Sequence, residues 1–272
     1  MTKTSMIGPG QKQAKLPGTR PKGARDDREA ARRVRDMFSR IAPRYDFLNH
    51  LLSFSLDRVW RRKTARRFQR ILRRTDAQVL DLCCGTGDMA FALNRIRVHA
   101  IRDSGAHRVP IIGVDFSRPM IERARKKAGG SNHAATFLIS DALQLPFADA
   151  SFDLVTSAFG FRNLANYEQG LREIARILKP GGQIGILEFS EPKGPMAGIY
   201  RLYFRRLLPL VGTALSGSSE AYFYLPGSVA KFPSPPEIKA LMQTTGFGEV
   251  NIQSWNFGSV VLHTAKRKDG QD

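Results

Sequence analysis

The residues with the most chemistry to offer fall in one short run, VLDLCCGTGDMA, residues 79–90. Gly85 and Gly87 sit where an apolar stretch gives way to helical spacing, a setting in which a tight turn brings the backbone close to a ligand. The spacing Gly85-x-Gly87-x-x-Ala90 also satisfies a relaxed dinucleotide fingerprint, so the glycines alone do not choose a cofactor. Charge separates the two readings. A pyrophosphate is drawn to a helix N-terminus, but Asp88 occupies that first turn and Asp81 lies in the strand before it. A cationic ligand suits such a loop better, and the methionine end of S-adenosylmethionine carries both an ammonium and a sulfonium. The competing reading of Asp88 is a plain helix cap.

Two more carboxylates follow at strand ends. Asp115 closes IIGVD, where nucleotide-binding folds hold ribose hydroxyls. Its distance from Gly87 exceeds the usual ~20 residues, and the polar stretch Arg97–Pro110 reads as a surface insertion that accounts for it. Asp141 and Ala142, after the third strand, fit the place where an acidic side chain and backbone amides would hold adenine. For both aspartates the alternative is an ordinary surface residue.

These residues need a sheet to position them, and the chain supplies its pattern. Strands are expected at Gln78–Leu82, Ile111–Val114, Thr136–Ile139, Phe152–Thr156 and Gln183–Phe189, with helices at Pro119–Ala128 and Tyr167–Leu178 between them. Such alternation predicts a largely parallel sheet. Ser234, Pro235 and Glu237 form a capping-box start to a last helix. Two strands, Glu249–Trp255 and Ser259–Ala265, then make an antiparallel hairpin. A hairpin closing a parallel sheet predicts an α/β, class I S-adenosylmethionine-dependent methyltransferase fold, Rossmann-like and seven-stranded. Ahead of the sheet, residues 1–24 read as a disordered basic tail and residues 25–74 as a helical segment facing substrate or membrane, with helical spacing from Asp26 to Arg40 and a second helix expected over Asp57–Arg73. Residues 75–272 form the catalytic core, with a cover segment at about 191–233. Within that cover, residues 199–215 have the spacing of an interfacial helix.

Charge is unevenly distributed. Residues 1–74 hold 21 Lys or Arg against 6 Asp or Glu, while the whole chain carries +19. A basic front end attracts anionic partners, either lipid or nucleic acid. The first residues contain no apolar stretch of the secretory kind, and no run of 18 apolar residues could span a bilayer. Two adjacent cysteines, Cys83 and Cys84, exclude a disulfide scaffold and lack zinc-ligand spacing. A cytoplasmic protein, peripheral to the inner face of the membrane, is expected.

Six segments then occur in order: MFSRIAPRYDFLN, LDLCCGTGD, SDALQLPFADASFD, FGFRN, LKPGG and LEFSEP. Together they resemble the ubiquinone/menaquinone biosynthesis C-methyltransferase family over about residues 34–266. The resemblance implies methylation of a ring carbon on a polyprenylated quinol. By position it puts Thr86, Asp115, Asp141 and Ala142 at the cofactor, beside Gly85 and Gly87. It assigns Arg162 and Asn163 to the quinol oxygens, with Arg162 stabilising the developing phenolate, and Tyr45 to the same task from the N-terminal segment. A family serine falls at Ala158, next to Ser157, so that contact is not carried over. The methyl donor is already charged, so no metal is expected.

Naphthoquinol and benzoquinol enzymes share these motifs. Demethylmenaquinol is the favoured substrate because the N-terminus lacks transit-peptide character. The basic front end keeps an RNA methyltransferase open as an alternative, although AFGFRN replaces the polar-Pro-Pro-aromatic loop of nucleobase enzymes and neither cysteine follows a proline. The expected partners are the quinol, an anionic membrane surface and a second copy of the chain as a homodimer, with no nucleic acid.

Overall fold

Strand β1 (Val79–Leu82) is buried along its whole length, as a central strand of a parallel sheet must be. Around it the computed structural model describes residues 16–21, 23–100, 109–129, 135–192, 198, 202 and 219–269. Six more strands join β1: β2 (Ile111–Asp115), β3 (Ala135–Ile139), β4 (Phe152–Ala158), β5 (Leu178–Phe189), β6 (Asn251–Trp255) and β7 (Val260–Lys266). Their order is β3-β2-β1-β4-β5-β7-β6. β7 runs antiparallel between β5 and β6, and the other pairings are parallel. Strand order reverses between β1 and β4, the switch point at which such sheets open a crevice beyond their carboxyl ends.

Helices cover both faces. On one side lie α7 (Tyr167–Ile177) and α9 (Pro235–Thr244), which bury Leu171, Ile174, Ile238 and Met242 against the sheet. Asn166 caps α7 by accepting from the Gln169 N–H, and the expected capping box of Ser234 and Glu237 starts α9. On the other side α5 (Asp88–Ala100) and α6 (Arg118–Gly129) bury Phe91, Leu93, Ile121 and Ala124. The N-terminal segment forms α1 (Asp27–Ile41), α2 (Tyr45–Leu52), α3 (Leu56–Arg67) and a short α4 (Gln69–Leu72), and α8 (Ser219–Lys231) lies near α1. Helix α3 buries Asp57, Trp60, Arg61, Thr64 and Ala65, one stripe at helical spacing that includes two charged residues.

The structure corrects three expectations. The basic tail does not extend to residue 24: Thr19 is buried, its N–H donates to Leu164 O at 2.7 Å, and Arg20 Nη1 donates to Ala165 O. Gly18 lies so close to Ala165 that a Cβ would come within 2.1 Å of its carbonyl carbon. Second, the insertion after α5 does not begin at Arg97. That residue is fully buried within α5, where its guanidinium donates to Ala77 O and Val109 O. Third, the single helix expected over 57–73 is broken at Phe68, whose ring is buried in the core. Residues 199–215, apart from 202, lie outside the described residues.

Candidate functional site

The loops that leave β1, β2, β3 and β4 at their carboxyl ends enclose a cleft of about 690 Å³ of free space. Cys83 and Gly85, Asp115 and Phe116, Ser140 to Leu143, Phe159 and Gly160, and Asn163 to Ala165 contribute walls, and Phe38 and Tyr45 close it from the N-terminal helices. Cys83 and Phe159 directly follow β1 and β4, and both adopt left-handed φ angles, +53° and +62°. Such backbone is costly for residues other than glycine and collects at functional sites. Gly160 makes the juncture possible, since a Cβ there would meet Cys83 Cβ at 2.4 Å.

Asp115 closes β2 with both oxygens occupied on the protein side. Oδ2 accepts from Gly85 N–H and Oδ1 from Ser117 N–H, each at 2.9 Å. Burial raises its pKa to about 6, against the pull of those amides. A carboxylate so fixed has lone pairs left for two ligand hydroxyls. Asp141 is exposed at the cleft edge, with Oδ1 accepting from Leu143 N–H, and Ala142 is buried beside it. Four residues expected at the cofactor, Gly85, Asp115, Asp141 and Ala142, thus line one cleft, and the fifth, Thr86, faces a chamber beside it. Gly87 is not part of the lining. It closes the turn through its N–H to Cys84 O, and its φ of +89° together with the rings of Phe91 and Phe137 leaves no room for a side chain.

Past Gly85 the cleft continues into a smaller chamber lined by Tyr45, Arg61, Asp81, Cys83–Met89 (apart from Gly87) and Ala158. Thr86 faces it, but its hydroxyl is engaged: it donates to Asp46 and accepts from Lys127 Nζ. Lys127 also pairs with Asp46 at 2.7 Å and Asp88 at 3.0 Å. The carboxylate of Asp88 therefore carries a counter-cation within the protein. Burial opposes its charge, but Arg61 and Lys127 outweigh burial and keep its pKa low. Asp81 is fully buried, accepting from Thr156 Oγ1 at 3.0 Å and Ala90 N–H at 3.1 Å, and burial pushes it up to about 7. His50, Asp57 and Asp88 lie close enough to hold a cation. Arg61 on Asp57 and Lys127 on Asp88 already supply that charge.

At the reactive end the structure rearranges the expected roles. Asn163 lines the cleft, and its Oδ1 accepts from Tyr224 Oη at 3.1 Å. Arg162 stands behind that wall rather than in it. Its Nη1 donates to Glu188 Oε2 at 2.7 Å and to Phe159 O at 2.6 Å, and its backbone N–H donates to Glu188 Oε1. Burial works against the guanidinium charge, but Glu188 more than compensates and the pKa stays raised. The positive charge reaches both Tyr45 and Tyr224. Tyr45 lines both parts of the cleft, and burial raises its pKa, so it meets a ligand as a protonated donor. Among the described residues the buried Ser157 Oγ meets no hydrogen-bond partner, and neighbouring Ala158 faces the chamber.

Three residues here were not read from the sequence. Glu188 had a signal, being a carboxylate inside an otherwise apolar parallel strand, IGILEF, where burial demands a partner. Arg61 had a weaker one, since it shares a helical face with Trp60, Thr64 and Ala65. Tyr224, which links Asn163 to Thr19 Oγ1, had none.

The fold and this cleft define an S-adenosylmethionine-dependent methyltransferase. A methyltransferase of that kind from Thermotoga maritima, 19% identical, shares the fold with a TM-score of 0.58 over 86% of this chain and all of the other. A phosphoethanolamine N-methyltransferase from Haemonchus contortus, solved with S-adenosylhomocysteine, is 16% identical with a TM-score of 0.51 over 72% of this chain and 50% of its own. The family is narrower than the fold. Residues 25–267 match the ubiE/COQ5 methyltransferase family, and the chain belongs to it. A Thermus thermophilus protein named demethylmenaquinone methyltransferase is 46% identical over 85% of this chain and all of its own length. A Deinococcus radiodurans protein of the same name is 45% identical over 84% of this chain and 89% of its own. A Geobacter sulfurreducens ubiquinone/menaquinone biosynthesis C-methyltransferase is 44% identical over 88% and 90%. The reaction is S-adenosylmethionine-dependent C-methylation in quinone biosynthesis.

Proposed function

We propose that the enzyme methylates the ring carbon of demethylmenaquinol, working at the surface of an anionic membrane. The similarity to the Thermus and Deinococcus proteins, both named for demethylmenaquinone, carries the choice of naphthoquinol. When bound, S-adenosylmethionine supplies the electrophilic methyl group. The protein's own work is to hold and orient. Asn163, its amide oxygen committed to Tyr224, offers its Nδ2 hydrogens to a quinol oxygen. Tyr45 offers a second donor, and the Arg162 charge behind the wall favours the phenolate that makes the ring carbon nucleophilic. Proximity of this kind contributes much of a methyl transfer's rate. Mass spectrometry after incubation with cofactor and either short-tail quinol tests the choice. Faster methylation of demethylmenaquinol is expected; preference for the methoxy-benzoquinol would overturn it.

Membrane docking is supported by three observations. No described helix is long and apolar enough to cross a bilayer. Phe47 and Phe54, at and beyond α2, are 62% and 75% exposed. The first 74 residues carry the charge excess noted above, and each cation near an anionic leaflet contributes about 1 kcal/mol. Sedimentation should show stronger binding to anionic than neutral vesicles, weakening with salt; equal binding would overturn the docking. Arg20 and Thr19 are anchored on the catalytic loop, so a truncation that spares the fold stops at residue 15.

A further inference from the structure

The chamber beyond Gly85 holds a buried cation that the residues around it leave unsaturated. Arg61 is 6% exposed. Its Nη1 donates to Asp57, and among the described residues no other hydrogen-bond partner faces its guanidinium. Asp57 is itself shared with Ser53 Oγ at 2.8 Å and His50 Nδ1 at 2.9 Å. The guanidinium carbon lies 5.3 Å from the centre of the Phe159 ring, which walls the main cleft. A buried guanidinium with five donors and one acceptor is incomplete. Since it lines open space, its missing partner belongs in that space.

The charges lining the chamber describe that partner. They are the carboxylates of Asp81 and of Asp88, the latter shared with Lys127, and the guanidinium of Arg61, held on one side by Asp57. The methionine end of S-adenosylmethionine carries two positive groups and one negative. The chamber joins the adenosine cleft through shared walls of Tyr45, Cys83 and Gly85. We propose that Arg61 binds the α-carboxylate of the cofactor, fixing the far end of the methionine chain and so the direction in which the methyl group points. The inference rests on the cofactor of the family and is independent of which quinol is methylated. The carboxylate replaces nothing on Arg61: Asp57 keeps Nη1, and the ligand completes the remaining donors. The guanidinium plane suits a carboxylate, which an ammonium cannot match donor for donor.

Calorimetry with two non-reacting ligands tests this. One is S-adenosylhomocysteine; the other is the same molecule with hydrogen in place of the carboxylate. On the wild-type enzyme, removing the carboxylate should weaken binding about 10- to 100-fold, the scale of one or two charge-assisted hydrogen bonds. In Arg61→Gln the affinity for S-adenosylhomocysteine should fall by a similar factor, and removing the carboxylate should then cost less than about threefold. Arg61→Lys, which keeps the charge without the fork, should lie between. Equal penalties in wild type and variant, or no penalty in the wild type, would overturn the assignment. Should Arg61→Gln not fold, the same ratio taken with Arg61→Lys decides, because 5′-methylthioadenosine, which lacks the amino-acid group, reports whether the adenosine end is intact. Its affinity is expected to be unchanged.

Discussion

At the adenosine end of the cleft, the groups that would hold a ligand come from consecutive strand ends, and each is fixed by amides within a few residues or on the adjoining strand. Asp115 takes the Gly85 and Ser117 N–H groups, and Asp141 takes that of Leu143. At the reactive end the groups come from four distant places: Tyr45 on α2, Arg162 and Asn163 after β4, Glu188 on β5 and Tyr224 on α8. They are joined by buried charge and long-range hydrogen bonds. The first kind of site is a property of the sheet. The second exists only when the whole chain has assembled, so damage to it should appear as lost stability as well as lost activity.

Glu188→Ala should give the largest effect. It leaves the Arg162 guanidinium buried without its counter-charge, which typically costs about 3–5 kcal/mol. Denaturant unfolding should show a loss on that scale, accompanied by loss of turnover. A variant that unfolds within about 1 kcal/mol of wild type would break the contrast between the two ends. Asp115→Ala is the matching cut at the adenosine end. It should weaken cofactor binding by about 1.5–3 kcal/mol through two charge-assisted hydrogen bonds, with turnover recovered at saturating cofactor. Calorimetric affinities equal to wild type would remove Asp115 from the ribose site.

A third measurement reads the chamber between the two ends. Burial pushes the Asp81 carboxyl up to about 7, well above the ordinary carboxylate range. Its contribution to stability in the unliganded enzyme is therefore fully present below about pH 4 and is lost as the pH rises to 7. Binding of the cofactor's ammonium beside it favours the ionised form. Affinity for S-adenosylhomocysteine should consequently rise about tenfold between pH 6 and 8, with a proton released on binding. A flat profile would mean that the ligand does not sense Asp81. The smallest change expected is that of Tyr224→Phe, which removes one hydrogen bond to Asn163. It should cost about 1 kcal/mol, visible as a several-fold rise in KM for the quinol with the cofactor affinity unchanged.

The same contrast decides what could be read from the residues alone. VLDLCCGTGD and IIGVD are local patterns in which period, turn chemistry and charge agree, so the sheet, its switch point and the Asp115 site were legible. The Ser234–Glu237 cap was legible for the same reason. Arg61 was visible only as one more charge in a basic front end, since nothing local indicates that α3 turns it inward against Trp60 and Phe159. Arg97 looked like part of a polar insertion, because a single arginine in a run of mixed character does not announce that its donors meet the carbonyls of residues 77 and 109. Arg162 lay in a readable motif, yet its partner Glu188 is 26 residues away. Thr19 sits in a segment with no periodicity, and its contacts lie 145 and 205 residues downstream.

That last separation has a consequence for how the molecule is made. Thr19 and Arg20 are made before their partners at Leu164 and Ala165, and Tyr224 emerges 205 residues after Thr19. At about 5–20 residues per second, the N-terminal strap waits roughly 10–40 s for its partners. Through that interval α1, with Val34 and Met37 buried in the finished fold, lacks α8, one of the helices it packs against. This segment is therefore synthesised before the sheet and is among the last to find its place. A nascent chain stalled before α8 should expose residues 16–21 to protease, while the finished enzyme protects them.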